Sequence, residues 1–202
     1  MQVLDHAADI RFSPMLRRYT LEEFWALPEP ADRYHYDLID GALFMVPPPD
    51  PPHGSIDSRL KMSLIKFMID NDVKGEVLHP REGIYQDVYT ATYLEPDMMY
   101  VSLKNVARKG KRRTSADIVF EYSSRSTAMY DRTTKADTYL ALGVRELWLI
   151  DSENAFIEVR HSRMQNKQPI WAIRRYGKGE LAESEVLPGW QVSVDDLLED
   201  LI

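Results

Sequence analysis

The order of apolar and polar positions changes period several times along the chain, and each change marks an element. Thr20 stands before Leu21, Glu22, Glu23 and Phe24, with Pro28 following. A Thr with Glu three residues on is a capping box, so a short helix is predicted there, ending near Pro28. Residues 34–46 (YHYDLIDGALFMV) are rich in strand formers on both sides of Asp40-Gly41. That dipeptide suits the positive backbone dihedrals of a two-residue turn, and a β-hairpin follows. The run Pro47, Pro48, Pro49, Asp50, Pro51, Pro52 can neither donate to a ladder nor continue a helix, so it reads as an extended connector.

From His53 to Asn71 the apolar residues Ile56, Leu60, Leu64, Phe67 and Met68 recur at three- and four-residue steps, the period of an amphipathic helix. Two short strands are predicted around Arg81-Glu82-Gly83, and further strands at 97–102 (DMMYVS) and 117–122 (DIVFEY). A helix from about Thr127 to Leu142 stops at Gly143 and is followed by a strand at 145–151 (RELWLID). Strand, helix, strand implies a parallel, right-handed crossover. Strands near 155–162 and 169–176 and a short acidic helix from about Val194 complete the pattern. The result is an α/β chain with a mixed sheet, an N-terminal extension over 1–18 and a single domain over 19–202.

Composition narrows the chemistry. The chain of 202 residues is 44% hydrophobic and contains no cysteine, which excludes disulfides, thiolate zinc sites and cysteine nucleophiles, and suits a reducing, cytoplasmic setting. No stretch is apolar for long enough to span a bilayer. A net charge of -7 argues against a chain coated in nucleic acid, although a local basic patch remains compatible with it. The phosphate-loop, dinucleotide, serine-hydrolase and zincin motifs are all absent, and the five histidines are scattered. Carboxylates are what remain.

Two acids lie in strand-like, apolar surroundings: Asp97 in Glu95-Pro96-Asp97-Met98-Met99-Tyr100-Val101, and Glu121 in Asp117-Ile118-Val119-Phe120-Glu121-Tyr122. A carboxylate in a buried strand costs several kcal/mol unless a cation or hydrogen bonds compensate it. If the strands pair antiparallel, setting Asp97 opposite Glu121 also sets Val101 opposite Asp117, and opposed Cβ atoms lie about 5 Å apart. Oxygen donors of this kind suit Mg²⁺ or Mn²⁺. Asp131, Lys135 and Tyr139 share a face of the next helix. Lys135 can reach the acids from there, or simply pair with Asp131 four residues earlier. His53 can be a base or phosphate contact, or a structural residue opening its helix. In the segment 104–113, Lys109, Lys111, Arg112 and Arg113 concentrate positive charge, either as a phosphate-contacting patch or as a solvated loop.

Tyr36-Asp37-Leu38-Ile39-Asp40-Gly41, the proline run before His53, Glu95-Pro96-Asp97, Asp117-Ile118-Val119-Phe120-Glu121, Ser126-Thr127, Asp131 to Lys135, Tyr139 and Gly143 to Asp151 occur in one order. This ordered set, covering roughly residues 19–198, resembles the Uma-type family of putative restriction endonucleases within the PD-(D/E)XK superfamily. The resemblance implies a restriction-endonuclease-like mixed central β-sheet flanked by helices, with an additional N-terminal hairpin. It also implies a Mg²⁺- or Mn²⁺-dependent endonuclease acting on DNA, with Asp97 and Glu121 as metal-holding acids. The superfamily's usual lysine would fall at Ser123 and is absent, and the family's substitute maps to Lys135. Asp37 stands where the family usually has Glu, and Ala116 where it usually has Pro; the shorter reach of Asp37 weakens the case for its touching the metal, and Asp37 and His53 are accessory candidates. A homodimer is the expectation for an enzyme cutting both strands of a duplex. The rival expectation is a non-catalytic nucleic-acid-binding or interaction protein that retains the fold.

Overall fold

The computed structural model describes residues 17–49, 51–80, 82–86, 91–106 and 113–199. The chain divides into two compact units, Met1–Pro48 with Tyr85–Leu94, and Pro49–Ile84 with Glu95–Ile202.

In the first unit, α1 (Leu21–Trp25) begins at Thr20, whose hydroxyl accepts from the Glu23 N–H at 3.1 Å while the Glu23 carboxylate accepts from the Thr20 N–H at 3.0 Å. Both halves of the capping box are present, worth about 1 kcal/mol to a helix this short. Strands β1 (His35–Ile39) and β2 (Ala42–Val46) form the predicted hairpin, with Ile39 opposite Ala42. Asp40 and Gly41 take φ of 52° and 75°, the two successive positive dihedrals that match the turn to strand twist. The four-stranded sheet has the order β2-β1-β5-β4, with β4 at Ile84–Gln86 and β5 at Thr92–Leu94. Leu21, Phe24 and Leu38 are its buried centre.

The second unit carries a six-stranded sheet. Its strands are β3 (Gly75–Leu78), β6 (Met98–Ser102), β7 (Ile118–Ser123), β8 (Glu146–Asp151), β9 (Phe156–Gln165) and β10 (Gln168–Tyr176). The order is β10-β9-β8-β7-β6-β3, and β7 with β8 is the parallel pair among antiparallel neighbours. The sheet is therefore mixed, as expected. The segments flanking Arg81 do become strands, but β3 and β4 belong to different sheets.

Helix α2 (His53–Asp70) buries Ile56, Leu60 and Leu64 against one sheet face, where Met98, Tyr100, Ile118, Phe120, Trp148, Ile150 and Trp190 meet them. Burying a Leu of this kind contributes about 1.5–3 kcal/mol. A one-turn helix α3 (Leu103–Val106) follows β6. The crossover helix α4 spans 128–141, and its middle, Asp131–Lys135, is a π-helical turn. A short pair β11 (Leu181–Glu183) and β12 (Gln191–Ser193) leads into α5 (Val194–Leu198), whose Leu197 and Leu198 join the same core. Among the described residues no helix is long and apolar enough to cross a membrane.

Candidate active site

Strands β6 and β7 pair with Met98 opposite Phe120 and Tyr100 opposite Ile118. Continuing that register one step sets Asp97, which immediately precedes β6, opposite Glu121. Ile118, Phe120 and Tyr122 enter the α2 core. Strand alternation therefore turns Glu121 to the other face, under α4. There its Oε1 accepts from the Tyr139 hydroxyl at 2.5 Å, and the Lys135 ammonium lies 3.0 Å from both carboxylate oxygens. Lys135 is turned inward and 3% exposed. Asp131, one π turn earlier, is buried as well.

Asp97 is the more accessible acid, with a quarter of its side chain exposed. Its Oδ2 accepts from the Tyr122 backbone N–H at 2.8 Å, and its Oδ1 lies 3.0 Å from His53 Nε2 at the start of α2. The His53 ring stands edge-on to Tyr122 at 4.8 Å, and the Tyr122 hydroxyl donates to Asp57 at 3.1 Å. Asp57 in turn accepts from Lys61 at 2.7 Å. At the same end of the sheet, Asp151 closes β8 opposite Ser123 and accepts from Arg132 at 2.6 Å. The carboxyl ends of adjacent parallel strands are where α/β sheets commonly place their chemistry.

The electrostatics separate these acids. Burial pushes Glu121 well above the ordinary carboxyl range; Lys135 and Tyr139 draw it down, while Asp97 and Asp131 push it further up. Burial likewise raises Asp131, against the pull of Lys135 and Thr127. Asp97 also meets a burial penalty, but the hydrogen bond and charge of His53, with Lys135 and the Tyr122 N–H, leave it below its ordinary value. For His53 burial works to lower the pKa, and Asp97 and Asp57 outweigh it, so the imidazole is raised. Glu121 and Asp131, both raised, thus depend on one buried lysine, while Asp97 is also served by His53; a further cation beside them would favour the ionised forms.

Among the described residues no group of three or more His, Asp or Glu side chains is placed to hold a metal ion. The donors present are oxygens on Asp97 and Glu121, one of them partly open to solvent. That set fits a hard dication of the Mg²⁺ kind, which binds through one or two carboxylates and keeps most of its waters, rather than an ion needing a full protein cage.

Asp37 lies fully buried on β1 in the first unit, 3.9 Å from His35. Arg113 is 8% exposed in its side chain and lies 3.4 Å from Glu82 and 3.8 Å from Glu76, so carboxylates already balance its charge. Lys109, Lys111 and Arg112 fall outside the described residues. Tyr139, which periodicity set on one helix face with Asp131 and Lys135, is fully buried and is also a direct partner of Glu121. Tyr122 and Asp57 went unremarked, because their link joins residues 65 apart in sequence and no local pattern announces it.

A family model described as Uma2, putative restriction endonuclease, matches residues 21–195. Among solved structures the chain is similar to a putative nuclease belonging to DUF820 from Anabaena variabilis ATCC 29413. The TM-score is 0.71 at 18% identity, covering 91% of this chain and 99% of that one. At that identity the likeness shows the shared nuclease fold. No curated protein matches the chain.

Proposed function

The chain belongs to the Uma2 family of putative restriction endonucleases, and from that premise we propose that it is a divalent-metal-dependent endonuclease hydrolysing phosphodiester bonds of DNA. What supports the reading is the β6–β7 register, which continued by one step sets Asp97 opposite Glu121, together with Lys135 turned in to Glu121. Asp97 and Glu121 would hold Mg²⁺ or Mn²⁺. Such an ion supplies a water of lowered pKa and stabilises charge on a phosphoryl oxygen. Tyr139 fixes the orientation of Glu121, and the Tyr122 N–H with His53 fixes that of Asp97. The Lys135 ammonium would offer positive charge to the phosphoryl group as charge develops on it. His53 can keep a proton on Nε2 directed at Asp97 or release it toward solvent. The basic segment containing Lys109, Lys111 and Arg112 is the proposed contact to the phosphate backbone, and two copies of the chain would serve the two strands of a duplex.

The second reading, a non-catalytic protein that keeps the fold, has one observation in its favour. Lys135 approaches both oxygens of Glu121, an ion pair that balances the acid without a metal. Calorimetric titration with Mg²⁺ and Mn²⁺, run beside a plasmid-cleavage assay, separates the two. Metal binding and cleavage that both vanish in Asp97→Ala support the nuclease; an intact fold showing neither in the parent protein rejects it.

A further inference from the structure

Lys135 and Tyr139 reach Glu121 from a helix whose regular winding is broken at Asp131–Lys135. A π turn closes i→i+5 instead of i→i+4 and is a local excursion from the stable helix. Relaxation to a regular helix would wind the same residues further, by about 100°, and so swing the residues after Lys135 around the axis relative to Asp131. Something must hold the wide turn open. The Arg132 carbonyl inside it accepts a hydrogen bond from Arg160 Nη1 at 2.8 Å. Arg160 projects from β9, 8% exposed in its side chain, and its Nε and Nη2 lie 2.8 and 2.7 Å from Glu158 Oε1. The other oxygen of Glu158 accepts from Arg175 on β10 at 2.6 Å. The guanidinium of Arg160 is therefore gripped on one edge by a buried carboxylate and presents its remaining edge to the π turn. The Arg132 side chain runs from the same turn to Asp151 at 2.6 Å.

We propose that Arg160 is a positioning residue: held by Glu158 and Arg175, it keeps the Asp131–Lys135 turn in its π form and so aims Lys135 and Tyr139 at Glu121. Its role in catalysis rests on the nuclease reading above; its role in placing Lys135 does not. Arginine is required because a planar fork can serve a carboxylate and a carbonyl at once, which a lysine's single ammonium cannot reproduce.

The test is acetic anhydride labelling of the intact folded protein, read at Lys135 by peptide mass spectrometry against exposed Lys66 as internal standard. In the parent protein Lys135 should be strongly protected. In Arg160→Met its labelling should rise on the order of tenfold, through local opening. Leu60→Ala, a core truncation beneath the opposite sheet face, should leave Lys135 protected although it lowers the melting temperature more. Lys135 protection unchanged in Arg160→Met, or lost equally in Leu60→Ala, overturns the proposal. Should Arg160→Met fail to fold, Arg160→Lys keeps the charge beside Glu158, and the same rise, at reduced size, is expected from it; full protection there also overturns the proposal. In the cleavage assay Arg160→Met should lower kcat with KM held, and should cost less in a Lys135→Ala background than in the parent, since only the Tyr139 contact then remains to be misplaced. If the parent cleaves nothing, the nuclease reading has failed and the labelling still decides the role of Arg160.

Discussion

Glu121 and Glu146 sit on adjacent strands of one sheet, both buried, at 2% and 0% exposure. Their surroundings treat the charge in opposite ways. Glu146 accepts from the Trp148 indole at 2.6 Å and from the backbone N–H groups of Glu185 and Val186 at 2.9 and 3.0 Å, with His161 Nδ1 at 3.3 Å. Burial opposes its ionisation, but these donors outweigh burial and hold it below the ordinary value. Glu121 has one lysine and one tyrosine, and two further acids beside it. A fold that needs a buried carboxylate surrounds it with donors; where carboxylates are instead crowded together, the compensation is left to something outside the chain.

The strongest way to break this comparison is to neutralise each glutamate in turn. Glu146→Gln puts an amide NH₂ among backbone and indole donors, leaving buried groups unsatisfied, and should cost roughly 3 kcal/mol of stability. Glu121→Gln keeps an acceptor for Tyr139 and Lys135 while removing repulsion from Asp97 and Asp131, so stability should change by less than about 1 kcal/mol or rise. Its cleavage activity should nevertheless fall by a factor on the order of a thousand, the scale of losing a charge made for the transition state. Urea unfolding and the cleavage assay on both variants check this. Equal destabilisation would make Glu121 a structural residue.

Lys135→Ala sharpens the same contrast. An ordinary helix ion pair with Asp131 would be worth about 0.3–0.5 kcal/mol and leave activity intact. A charge directed at the phosphoryl group would be worth on the order of a hundredfold in rate, with little recovered by Lys135→Arg, whose larger fork places its charge differently. Single-turnover rates at saturating metal distinguish the two. Next in size is the effect of the ion itself. At ten times its dissociation constant, Mn²⁺ should stabilise the parent by about 1.4 kcal/mol. It should do nothing for Asp97→Ala, and a melting temperature that rises equally in both would remove Asp97 from the ion's shell.

Much of this contrast was legible before folding, and the part that was not has a physical reason. Asp40-Gly41 announced its hairpin because the turn chemistry is local. The β6–β7 register was readable because both strands place an acid at one end and apolar residues along the rest. The π turn was invisible: Asp131, Lys135 and Tyr139 at four-residue spacing suit a regular helix equally well. Glu146 drew no notice either, since its backbone donors come from residues 39 and 40 positions away. Nor did composition mark the first unit, which is completed by Tyr85–Leu94 returning from beyond α2. Local chemistry was readable, whereas partnerships made by the return of the chain were not.

The smallest effect, and the one that asks most of the comparison, is the pH dependence of stability in the presence of a chelator. Glu146 is lowered from its ordinary value of 4.5. Above that value both folded and unfolded states are ionised, and the contribution is fully present. As the pH falls through the depressed folded value, the unfolded chain takes up the proton first and the contribution is lost. Glu121 is raised above the same 4.5, so its sign is reversed. Its contribution is present below 4.5 and is lost as the pH rises toward the elevated folded value, because there the native state holds a proton that the unfolded state has released. Urea midpoints across the acidic to neutral range should therefore show an acid-side decline that Glu146→Gln reduces, since Asp117, Asp151 and Glu158 are lowered too, and a decline on the rising side that Glu121→Gln reduces, since Asp131 is raised too. Adding Mn²⁺ should suppress the second and leave the first, since an ion at Asp97 and Glu121 competes with the proton on Glu121 alone. Two declines that respond alike to metal would mean that the two glutamates do not differ as their surroundings indicate.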